Sequence, residues 1–294
     1  SATVVAATVE DDFDNTNAVS TWKLGAFSDT TGHPSCVSFF EQRLVFAGTT
    51  NEPQTLYFSK SGDYENMTAG TNADDAMIYT IASNQVNRIR YLKAQRTLIV
   101  GTTGGEFTVS ADGTDAAITP SNIVIKKQSS YGTANVDAIA AGNAVLFLQK
   151  AKRKIRELSY NFDTDGYVAP DLTILNDIVT KSGITEMSYQ QEPDSILWCV
   201  RDDGVLAGLT YQRSENVIAW HRHKLGGTFG AGATATGYGV VESAASISGT
   251  LTEDEFYVIV KRTINGATKR YVEVFANFDF DENDATDFKF LDSH

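Results

Sequence analysis

The sequence predicts an all-β fold, a five-bladed β-propeller with one short helix. Three observations lead there. Tyr, Phe, Val, Ile and Thr are abundant while only 5 Pro occur in 294 residues, and Gly and Asn-Asp clusters punctuate the chain as tight turns between short strands require. A unit of three apolar strands separated by turns recurs five times. The middle strand of each unit is almost continuously apolar, the mark of a strand covered on both faces.

The second strands define the repeat: Arg43 to Thr49, Arg96 to Thr102, Asn143 to Gln149, Asp194 to Val200 and Asp254 to Val260. Each opens on a polar turn residue, and their starts are spaced by 53, 47, 51 and 60 residues, slightly above the ~40 to 50 of one propeller blade. First strands are expected at Cys36 to Gln42, Ile89 to Gln95, Val136 to Gly142, Ile184 to Gln190 and within Gly239 to Ser246. Third strands are expected at Thr55 to Lys60, Glu106 to Ser110, Lys154 to Tyr160, Val205 to Tyr211 and Lys269 to Phe275. Fourth, outer strands fit Met77 to Ala82, Asn122 to Gln128 and Val217 to Lys224.

For the last blade, Thr21 to Phe27 would close the ring, with Phe288 to Leu291 as the competing edge. In the first case Trp22 anchors the closing strand against a neighbouring blade. Asp171 to Thr180 is the one helical-looking segment, because Leu172, Leu175, Ile178 and Val179 follow Pro170 at helical spacing. The expected organisation is a connector over residues 1–20 and one propeller over 21–294. Its blades span roughly 36–82, 89–130, 136–180, 184–227 and 238–292, with 21–27 closing the ring. Leu98, Ile99, Leu146, Phe147, Leu197 and Trp198 should be buried between blades.

A formal net charge of -13 argues against a phosphate-binding surface, which needs Lys and Arg to displace counterions. Cys36 and Cys199 are too few for a disulfide framework or a four-cysteine metal site. No apolar run approaches the ~18 residues of a membrane span, and the start lacks a basic n-region. The missing initiator Met, and an end at His294 directly after an apparent strand, suggest a piece of a longer chain.

From Trp22 the sequence resembles a known family. The run WKLGAFSDTTGHPSCVSFFEQRLVFAGTTNEPQTLYFSKSGDYENM (Trp22 to Met67) is similar to tail proteins of short-tailed phages and prophages related to tail tubular protein B, the nozzle protein. The similarity continues through Val86 to Ser110, Lys154 to Leu175 and Tyr189 to Gly227, and so covers most of the chain. The resemblance implies a virion component that forms a hexameric tube below the portal and adaptor rings. DNA leaves the capsid through that tube without specific binding. Implied partners are further copies of the chain, adaptor or portal proteins and tail-fibre proteins, with no small-molecule substrate. The implied location is the phage tail, assembled in the bacterial host cytoplasm. Family members carry the propeller within a larger chain, whereas this sequence starts near the propeller and stops soon after the fifth repeat.

Sharper motifs were weighed against plain ones. His221 and His223 share one face of a strand, as two metal ligands would, but no third ligand is evident and an exposed outer strand accounts for them. Asp163, Asp165 and Gly166 suit calcium less than a tight turn. Asp279, Asp281 and Asn283 match an EF-hand loop only until Asp284 replaces its Gly and Phe290 its Glu, leaving an acidic connector. Gly101, Gly104 and Gly105 lie between strands, not before a helix, and so read as a hairpin. The rival to a structural role is a carbohydrate-binding or glycoside-cleaving propeller, for which the first strands offer Glu41, Asp137 and Glu186. The expectation is a non-enzyme with no catalytic, cofactor or metal residues and no cofactor. Acidic residues such as Glu10, Asp11, Asp12 and Asp14, and the run Asp279 to Asp287, either line a DNA-repelling lumen or serve as solvated connectors.

Overall fold

The computed structural model describes residues 26–83, 86–113, 116–249 and 253–276. Among these the chain forms five antiparallel sheets, each a meander with its strands paired in chain order. The first holds β1 (Cys36–Phe40), β2 (Arg43–Ala47), β3 (Thr55–Phe58) and β4 (Met77–Thr80). The second holds β5 (Ile89–Ala94), β6 (Leu98–Thr102), β7 (Gly105–Ala111) and β8 (Ile123–Ser129). The third holds β9 (Ile139–Ala141), β10 (Ala144–Leu148), β11 (Ile155–Asn161) and β12 (Gly166–Val168). The fourth holds β13 (Ile184–Gln190), β14 (Ile196–Arg201), β15 (Leu206–Gln212) and β16 (Val217–His223). The fifth has three strands, β17 (Val240–Ile247), β18 (Glu255–Ile264) and β19 (Ala267–Val274).

Turn chemistry sets the register. Asn265 and Gly266 both lie at positive φ (52° and 75°) between the paired Ile264 and Ala267, the two-residue turn whose twist matches its flanking strands. Thr103 and Gly104 similarly join β6 to β7, so the glycine run is a hairpin, as its strand context predicts. Glu41 and Gln42 adopt φ of 45° and 59° without glycine between β1 and β2, a conformation that costs an L-residue energy. Part of that cost is offset because the Glu41 carboxylate accepts a hydrogen bond from the Ile118 amide at 2.7 Å.

The sheets pack in succession through shared cores. Val45 and Ala47 of β2 meet Leu98 and Val100 of β6, while Ile99, on the opposite face of β6, meets Val145 and Phe147 of β10. Leu146 and Leu148, on the other face of β10, pack with Leu197 and Cys199 of β14. Trp198 and Val200 turn the other way, onto Phe256, Val258 and Val260 of β18. Each middle strand of the second, third and fourth sheets therefore serves two cores with alternate residues, which explains its unbroken apolar run. The six side chains expected between sheets are all buried, none above 2% exposed.

One expectation is corrected. Asp171 to Thr180 is not a helix but a series of turns, closed by Asn176 N–H to Thr173 C=O (3.0 Å) and Val179 N–H to Asn176 C=O (3.3 Å). Asp171 takes the Thr173 amide and hydroxyl on its carboxylate, and Leu172 N–H extends β11 by bonding Ile155 C=O. These local bonds compete with a helix. The apolar spacing does not describe one buried face either, since Leu172 and Val179 are buried but Leu175 and Ile178 are exposed. The third sheet instead gains its outer strand from β12, which the sequence pattern does not reveal. Of the closing segment, residues 21–25 lie outside the described residues, and Phe27 packs edge-on against Phe46 and Tyr57 of the first sheet at 5.4 and 5.0 Å. Phe288 to Leu291, Trp22 and the EF-hand-like Asp279, Asp281 and Asn283 also lie outside them.

Trp198 is 2% exposed, stacks on Phe256 at 4.6 Å and donates its indole N–H to the Gln190 amide oxygen at 2.9 Å. Trp198→Ala is expected to destabilise the chain by about 3–5 kcal/mol, with the loss centred on the fourth and fifth sheets. Denaturant unfolding with hydrogen exchange resolved by strand checks both magnitude and location.

Candidate functional site

In a four-strand meander the first and third turns fall at the same end of the sheet. In the second, third and fourth sheets these turns converge on a cleft of about 1560 Å³. Its wall is built from the Ala94 to Thr97 turn, the Ala141 to Ala144 turn, the Tyr160 to Tyr167 ends of β11 and β12, and the Tyr211 to Ser214 end of β15. Tyr160, Tyr167, Tyr189 and Tyr211 line it together with Arg96 and Arg213, and no Asp or Glu stands among the described residues of its lining.

The tyrosines are held individually. Tyr160, 53% exposed, meets the Tyr167 ring edge-on at 5.8 Å and donates its hydroxyl to Asp165 at 2.7 Å. That hydrogen bond to a carboxylate raises the Tyr160 pKa. Tyr167 shares a hydrogen bond with the Thr97 hydroxyl at 3.1 Å, tying the third sheet's outer strand to the second sheet's first turn. Tyr211 is 5% exposed and its buried hydroxyl has no protein partner. Burial, then the neighbouring Tyr189, push it up to about 12. Beneath the floor Glu157 is buried, accepting from Ser159 at 3.1 Å and paired with Arg213.

The sequence-derived candidates lie elsewhere or act structurally. Asp163 and Asp165 belong to the turn between β11 and β12, where Asp165 has φ of 44° and positions Tyr160. Glu41 sits in the first turn, not on a first strand, and Asp137 lies just before β9, where it pairs with Lys93 at 2.7 Å. Glu186 on β13 accepts from Ser243 of β17 at 3.1 Å. Each of the three spans a junction between consecutive sheets. Among the described residues no group of three or more His, Cys, Asp or Glu is gathered to hold a metal ion, and no helix is long and apolar enough to cross a membrane. Cys36 and Cys199 are buried, and burial raises both thiol pKa values.

His221 and His223 do share one face of β16, as their spacing requires, with Nδ1 and Nε2 2.7 Å apart. That face is covered, not open: both rings meet Trp198 edge-on at 5.5 and 5.2 Å, and His223 also meets Phe275. Gly208 makes the room, since a Cβ there would lie 2.0 Å from His221 Cε1. The cleft tyrosines escaped the sequence reading because no short motif joins them. Their common signal is position, each lying beside a first or third turn of consecutive repeats.

No protein-family model matches the chain, and no curated protein matches it. Among solved structures, it is similar to KlHsv2 with loop 6CD replaced by a Gly-Ser linker, at 8% identity over 80% of this chain and 60% of that one, TM-score 0.44. It is also similar to the Pan2 WD40 domain of Neurospora crassa, at 11% identity over 84% of this chain and 63% of that one, TM-score 0.43. A third is an auxiliary nutrient binding protein from Bacteroides thetaiotaomicron, at 12% identity over 83% of this chain and 57% of that one, TM-score 0.39. The chain thus spans about three fifths of the length of these structures.

Burial, then the adjacent His223, lower the His221 pKa from 6.5 to about 4. The unfolded chain therefore takes up this proton first, so stability from the neutral ring is complete above about pH 6.5 and is lost as pH falls toward 4. Melting curves between pH 7.5 and 4 should show this slope, and His221→Asn should flatten it within that window. Glu242, held at about 2 by Arg270 and Lys261, contributes stability that is complete above about pH 4.5 and is lost only as pH falls toward 2.

Proposed function

We propose that the chain is a non-enzymatic structural component of the tail of a short-tailed phage, folded as a five-bladed ring and assembled with further copies of itself. The reading rests on the resemblance of the segments between Trp22 and Gly227 to such tail proteins, which touches four of the five repeats. The architecture is compatible with a scaffold: consecutive sheets share apolar cores, and the carboxylates a glycosidase would need are engaged in joining one sheet to the next. An acidic chain of net charge -13 also suits a conduit, because like charge keeps DNA from docking on its wall.

The two end faces support ring closure. Phe46 of the first sheet and Ile259 and Val272 of the fifth point away from the shared cores, and β19 carries no fourth strand among the described residues. Apolar faces at both ends of one stack, and the β19 edge at one of them, are needs that a ring meets by joining the ends. Residues 21–27 would supply the joining strand.

Two measurements test the reading. Gold-labelled antibody against the recombinant chain should decorate the tails of purified virions from a phage or induced prophage carrying this sequence; tails that stay bare would sink the assignment. Deleting residues 1–27 should cause aggregation or a marked drop in melting temperature, and deleting 1–15 should change little. Unchanged stability after the longer deletion would move the closure elsewhere, to Phe288 to Leu291 first of all.

A further inference from the structure

We propose that the tyrosine-lined cleft between the second, third and fourth sheets is an oligosaccharide-binding site, independent of the tail reading. Size comes first: about 1560 Å³ exceeds the roughly 300–1,000 Å³ of an ordinary small-molecule pocket and suits several linked rings. A sugar ring offers an apolar C–H face and a rim of hydroxyls. Tyrosine meets both, with a flat apolar ring and a hydroxyl that donates and accepts.

Tyr160 is built as such a platform. Its ring is half exposed yet fixed by the edge of Tyr167 on one side and by Asp165 at its hydroxyl. Asp165 itself stands in a tight turn with φ of 44°. An aromatic face already held in place loses little freedom when a ligand stacks on it, which favours binding. Asn143, Ser195 and Ser214 add side chains that both donate and accept, matching the dual character of sugar hydroxyls.

The remaining chemistry narrows the ligand. Arg96 and Arg213 are the charged side chains in the lining, and Arg213 is engaged with Glu157 below the floor. A nucleic-acid strand needs a track of phosphate-neutralising cations, which two arginines on a chain of net charge -13 do not form. A uronate on one sugar, in contrast, requires a single guanidinium. Cleavage needs two carboxyls flanking the bond, and the lining presents none, so the site holds glycan without hydrolysing it.

The test is a glycan array of neutral and uronate-bearing oligosaccharides probed with the labelled full chain, then calorimetric titration of the strongest binders. Saturable binding is expected, with neutral sugars if stacking dominates and with uronates if Arg96 contributes a charge contact. Tyr160→Ala should weaken it about tenfold at unchanged melting temperature, while Tyr160→Phe, which keeps the ring, should retain most of it. Tyr64→Ala, an exposed tyrosine paired with Phe39 away from the cleft, should leave binding intact. The proposal is overturned by an array with no saturable glycan, by binding indifferent to Tyr160→Ala, or by stronger binding of oligo-dT than of any sugar.

Discussion

The structure depends on one constraint: the middle strands β6, β10 and β14 must be buried on both faces at once. Leu98, Phe147 and Leu197 look toward the preceding sheet while Ile99, Leu146 and Trp198 look toward the following one, and all are nearly inaccessible to water. Burying a side chain of this size contributes about 1.5–3 kcal/mol, so no single sheet is stable with either face stripped. The sheets have to stack in series. It follows that the order of the chain becomes the order of the cores, and that only the first and fifth sheets keep a face without an equivalent neighbour.

Polar contacts then orient what the cores hold. Lys93 to Asp137 and Glu186 to Ser243 cross sheet junctions near the first strands, and the Glu41 carboxylate reaches the loop that follows β7. An exposed ion pair such as Lys93 to Asp137 contributes about 0–1 kcal/mol, and a hydrogen bond about 0.5–1.5, well below the apolar cores they flank. Their effect is angular: a polar contact at the edge of each stack fixes how one sheet sits on the next. The same carboxylates that invited a catalytic reading are engaged in this way.

What could be read from the sequence follows the strength of each constraint. The doubly buried strands were legible because two-sided burial leaves no polar residue inside the run. β12 was not, because three residues after an Asp165-Gly166 turn carry too little pattern. The segment from Asp171 misled because its apolar spacing is helical while its Asp, Thr and Asn side chains bond the local backbone. The tyrosine cleft was invisible for a different reason. Its members come from three sheets, and only the meander, which brings first and third turns to one end, places Tyr160 and Tyr167 near Tyr189 and Tyr211.

The aromatic concentration at the last junction has a related cause. The first three junctions join four-stranded sheets, each with an outer strand, but the fifth sheet has three strands among the described residues and one face available. Its attachment must be stronger per unit area. Trp198, Phe256 and Phe275 lie within 4.6 to 5.3 Å of one another, and the paired His221 and His223 close the side of the cluster from β16. Aromatic contacts of this geometry contribute about 0.5–1.5 kcal/mol beyond the area they bury. His221 makes that junction pH-dependent, since burial holds its ring in the neutral form to about pH 4. Acidification therefore acts first at the junction of the fourth and fifth sheets.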